Sequence, residues 1–101
     1  MATGAPAPVP VIDGHTDYVL SLLETGRSFL EESAIGHVDL PRARRGGIGA
    51  MLTAIFVRNE HLPQRALIQT LRGVDLLKQT IAASNGRMEL ITSYPQLVNC
   101  L

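Results

Sequence analysis

The sequence predicts an α/β chain in which parallel strands are joined by crossover helices. Three observations carry this. Short β-branched runs alternate with segments of helical periodicity, in the order strand, helix, strand, helix, strand, helix. Residues 48–57 (IGAMLTAIFV) are almost continuously apolar, as in a parallel strand covered on both faces. Apolar residues make up 46% of the 101 and charged residues 18%, which is globular rather than disordered composition.

Each element has its own local reason. Residues 1–8 are almost all Ala, Pro and Gly with no periodicity, and read as a flexible lead-in to a single domain over 9–101. Val9-Pro10-Val11-Ile12 opens a strand over 9–14, with Pro10 near its start, where a missing N–H is tolerated. Residues 18–25 (YVLSLLET) carry apolar side chains at 19, 20, 22 and 23 and form a short helix closed by Gly26. Residues 27–36 are weakly patterned and fit helix or loop. Asp39 can then cap a turn in which Pro41 takes an early helical position and Gly46 and Gly47 stop it.

The second half follows the same logic. After the apolar strand over 48–57, residues 63–84 give the clearest helical signal. Leu67, Leu71, Val74, Leu77 and Ile81 make one stripe and polar residues fill the rest of the wheel. Gly73 costs about 1 kcal/mol against alanine in that helix, so packing must hold it. Asn85-Gly86 supplies the stop, residues 88–92 (MELIT) read as a third strand, and a last helix starts at Tyr94. The handedness rule for βαβ crossovers makes the units right-handed.

Charge and cysteine content exclude several functions. Nine basic residues balance nine acidic ones. Arg42, Arg44 and Arg45 are the only basic cluster and fit a solvated face, so no nucleic-acid partner is expected. The single cysteine, Cys100, permits neither an intrachain disulfide nor a CxxC metal motif, and its apolar setting suggests a core thiol. No charged n-region or long apolar h-region opens the chain, and no run is long enough to span a bilayer. The expectation is no signal peptide and no membrane segment, which favours a cytoplasmic setting.

One constellation can carry chemistry. His15 and Asp17 lie two residues apart just past a predicted strand end, so their side chains share a face. One imidazole nitrogen and one carboxylate make half a site for a divalent metal, zinc first, where α/β barrels keep their catalytic groups. Gly14 permits a close turn beside them. From spacing alone a second reading stays open, in which the aspartate merely caps the next helix. His37-Val38-Asp39 repeats the pattern with no apolar strand before it, and capping is the better reading there. Glu60-His61 lacks the second histidine of an HExxH helix and reads as a surface pair. Gly46-Gly47-Ile48-Gly49 precedes a strand, whereas phosphate-cradling loops follow one. No residue qualifies as a catalytic nucleophile, acid or base.

Two stretches carry a family resemblance. Val11-Ile12-Asp13-Gly14-His15-Thr16-Asp17 resembles the opening strand and D-G-H-N-D signature of the membrane (renal) dipeptidase family of the amidohydrolase superfamily, with Thr16 in place of Asn. The run from His37 through Asp39-Leu40-Pro41-Arg42 to Gly46-Gly47-Ile48-Gly49-Ala50 resembles the family's D-L-P-R-L-R-x-G-G-V-G-A-Q segment, with Ala43 for Leu and Met51 for Gln. The likeness covers residue 9 onward.

The resemblance implies the N-terminal βα units of a (β/α)8 TIM-type barrel, incomplete at this length, with a binuclear zinc centre at its mouth. It implies that His15 and Asp17 match the first two ligands of one zinc and that a dipeptide is the substrate. The family's bridging glutamate and its later histidines fall beyond residue 101, and Glu89 lacks the G-x-E-G surroundings of that glutamate. The chain alone is then expected to be inactive and to self-associate through an exposed sheet edge. The competing expectation is a non-catalytic fragment or a small α/β interaction module without metal.

Overall fold

The computed structural model describes residues 9–101, so the lead-in expected over 1–8 lies outside the described residues. The elements are β1 (Val11–Thr16), α1 (Tyr18–Thr25), α2 (Leu40–Arg45), β2 (Ile48–Thr53), a 3-10 turn (Asn59–His61), α3 (Ala66–Ala83) and α4 (Tyr94–Cys100). β1 and β2 pair in parallel, the arrangement that alternating strands and helices require.

Local chemistry accounts for the helix boundaries. Gly26 closes α1 in the left-handed conformation, φ 73°, with its N–H on the Leu22 carbonyl. Asp39 caps α2 by accepting the Arg42 N–H, and Pro41 occupies the first turn. α3 ends at Ser84, and Asn85 and Gly86 follow at φ 55° and 80°. Between α1 and α2 the chain bends at residues 29–31 and 34–37 and forms no helix.

The core lies between β2, α1 and the loop after it. Tyr18, Val19, Leu22, Phe29 and Leu40 are buried together, with Met51, Ile55, Leu76 and Leu77 packed against them. The Tyr18 and Phe29 rings stack with centroids 3.9 Å apart. Burial pushes the Tyr18 phenol up, partly offset by its hydrogen bond with the Thr53 hydroxyl.

Four features depart from the expectation. First, β2 stops at Thr53 rather than running to residue 57. Its partner β1 ends at Thr16, and the chain enters α1 one residue later. Second, β2 is not covered on both faces: Leu52 is 65% exposed. Third, residues 88–92 form no strand. Their backbone is used locally, the Met88 N–H on the Ser84 hydroxyl and the Thr92 N–H on the Gln96 side chain. Fourth, the stripe on α3 divides. Leu76 and Leu77 face the core with Gly73, while Leu67 and Leu71 are 72% and 57% exposed.

Gly73 explains that division. It is the one buried residue of α3, and a Cβ there would stand 2.9 Å from the Ile55 Cγ2 and 3.6 Å from Val19. The helix therefore approaches α1 by its glycine rather than by its leucine stripe. Close approach offsets the propensity that glycine sacrifices.

Candidate metal centre

His15 lies near the C-terminal end of β1, and Asp17 is the residue between β1 and α1. His15 Nε2 stands 3.2 Å from Asp17 Oδ2, with the two side chains 69% and 47% exposed. The intervening Thr16 is buried, so the chain alternates out, in, out across the three residues. Both donors thus converge on the open side of the sheet end, as their spacing predicts.

Asp17 occupies the N-cap position of α1 without making a side-chain cap bond. Its carboxylate turns to His15 instead. The second His-x-Asp pattern behaves in the opposite way. Asp39 is fully buried and caps α2, accepting the Arg42 N–H at 2.9 Å, the Ser33 N–H at 3.1 Å and the Arg42 guanidinium at 2.6 Å. Burial by itself would raise the Asp39 carboxyl. The two backbone N–H groups, the Arg42 side chain and its charge more than offset this and hold it below the usual aspartate value. One motif is a cap; the other leaves its capping position unused.

The donor set at His15 and Asp17 suits a divalent metal. A nitrogen and a carboxylate oxygen bound to one tetrahedral zinc at ordinary bond lengths are roughly 3.4 Å apart, close to the 3.2 Å observed. With Nε2 protonated, His15 donates to Asp17; with Nε2 unprotonated, both atoms offer lone pairs to a cation. Among the described residues no group of three His, Cys, Asp or Glu side chains gathers as a metal site, and His15 and Asp17 stand as a pair. Gly14 is not needed for a tight turn as expected: its φ is not positive, and a Cβ there would meet nothing within 4 Å.

The other singled-out residues lie elsewhere. His61 and Glu60 sit 3.7 Å apart in the 3-10 turn after β2. His61 lies beside a tie that sequence alone does not reveal, in which the Arg58 guanidinium grips the Glu24 carboxylate of α1. Arg42 and Arg45 are not a free basic face, since they pair with Asp39 and Glu32. Cys100 is half-buried near the Glu89 carboxylate rather than in the core. Desolvation and that negative charge push its thiol up, which disfavours a nucleophile.

Comparison with known proteins places this geometry in context. The family profile "Membrane dipeptidase (Peptidase family M19)" matches residues 6–100. The chain also superposes on the crystal structure of a protein described as the dipeptidase AC, a metallopeptidase of the same family. The TM-score is 0.82 at 28% sequence identity, over 91% of this chain. The match spans 31% of the length of that dipeptidase. Profile and superposition agree over the segment that bears both His-x-Asp motifs, and the chain belongs to the membrane dipeptidase family.

Proposed function

We propose that this chain supplies His15 and Asp17 as half of a zinc site in a dipeptidase, on βα units that form part of a (β/α)8 barrel. The observation that carries the reading is the turning of Asp17 away from its capping position and onto His15. A metal held there would supply Lewis-acid chemistry, lowering the pKa of a water and polarising the carbonyl of a dipeptide. The residues here bind and orient: His15 gives a neutral nitrogen, Asp17 an anionic oxygen, and buried Thr16 anchors the segment between them. Catalytic zinc ordinarily takes three protein ligands and keeps one position open. Two ligands hold a metal weakly and without fixed geometry, so this reading needs further donors besides His15 and Asp17.

The direct test is dipeptide hydrolysis by the purified chain with added zinc, beside His15→Ala. No turnover above the variant is expected. Turnover that depends on His15 would mean that other residues here, or a second copy of the chain, complete the site.

Self-association belongs to the same reading. Among the described residues the sheet has two strands and both outer edges lack a partner strand, while Ile12, Leu52 and Phe56 are half-exposed or more. Two strands alone are marginal, and unpaired edges recruit further strands. Sedimentation velocity should show species larger than a monomer, reduced by Leu52→Lys. A monomer at all concentrations would contradict this part of the proposal.

A further inference from the structure

The register of β1 against β2 is uneven. Asp13 pairs with Met51 and Thr16 with Thr53, so three steps on β1 oppose two on β2. One extra residue therefore lies on β1 at Gly14–His15, an irregularity of the β-bulge kind that offsets the opposite shift between Val11 and Ile12. The faces follow from what the partners touch. Met51 packs against the buried cluster, and the Thr53 hydroxyl bonds to Tyr18. Asp13 and Thr16, opposite them, lie on this same core side. Strict alternation from Asp13 would send His15 and Asp17 to the core side as well. A one-residue slip exchanges the faces, and both side chains are exposed.

A bulge leaves backbone groups without ladder partners. Here the His15 N–H donates to Asp13 Oδ1 at 3.1 Å. Asp13 thus accepts the amide of the residue that the bulge turns outward. Its carboxylate takes no other protein hydrogen bond among the described residues.

We infer that Asp13 is a positioning residue: its carboxylate holds the Gly14–His15 bulge, which turns His15 out of the core and toward Asp17. This rests on the zinc reading above. A ligand whose backbone is pinned loses less freedom on binding metal, and removing a supporting partner of a metal ligand weakens affinity by about tenfold or more.

Asparagine keeps an acceptor oxygen at the same place, whereas alanine does not. The experiment is a zinc titration of the chain and its Asp13→Ala, Asp13→Asn and His15→Ala variants, followed by NMR, with amide hydrogen exchange of His15 measured without zinc in the two Asp13 variants. Asp13→Ala should weaken zinc about tenfold and speed exchange of the His15 amide about fivefold. Asp13→Asn should restore both. An Asn variant that behaves like the Ala variant overturns the inference, because charge or direct ligation would then be the role. So does an Ala variant that changes neither readout. Unchanged zinc affinity in His15→Ala would instead overturn the metal reading, and the exchange rates would still report whether Asp13 holds the bulge.

Discussion

Asp39→Ala is expected to cost about 3 kcal/mol of stability. Losing the cap on α2 accounts for about 1 kcal/mol. The Ser33 N–H, left without its acceptor in a part-buried loop, adds about 1–3 kcal/mol. Arg42 softens the loss, since it is about one-third exposed and retains a contact with the Gly36 carbonyl. For a domain of this size the melting temperature should fall by about 15 °C. Asp39→Asn, which keeps one acceptor, should fall between the two. A loss below about 1 kcal/mol in urea or thermal unfolding would show that the loop and α2 are held by other contacts.

The same carboxylate sets an acid limit. Its folded pKa is depressed, so its contribution is complete above the unfolded aspartate value of about 3.9. It is lost as pH falls through the lower folded value. Unfolding midpoints should therefore drop below about pH 4, and Asp39→Asn should remove that part of the dependence.

Legibility in the sequence follows the range of the interaction. The end of α1 at Gly26 and the cap at Asp39 depend on neighbours within a few residues, and both are readable from residue type. Convergence of His15 and Asp17 is readable as well, because strand alternation is local. The bulge is not: Asp13 to Thr16 looks regular until β2 is set beside it. The α3 stripe misleads for a related reason. Leu67 and Leu71 fit the helical period, but which face turns inward depends on Gly73 approaching Ile55 and Val19. Residues 88–92 have strand composition, yet pairing requires a partner, and side chains of Ser84 and Gln96 claim the backbone at either end. Composition speaks for the extended chain; it says nothing of its neighbour.

The central claim is that His15 and Asp17 act as one metal half-site, and zinc binding by the chain tests it most directly. The two donor atoms already stand 3.2 Å apart, so little rearrangement opposes binding. Titration of the His15 ring signals with zinc should give weak, saturable binding of one ion. His15→Ala and Asp17→Ala should each weaken it by at least about tenfold, since each removes one of only two donors. Zinc binding that survives both substitutions, or that shifts signals at His37 or His61 and leaves His15 unmoved, would contradict the account.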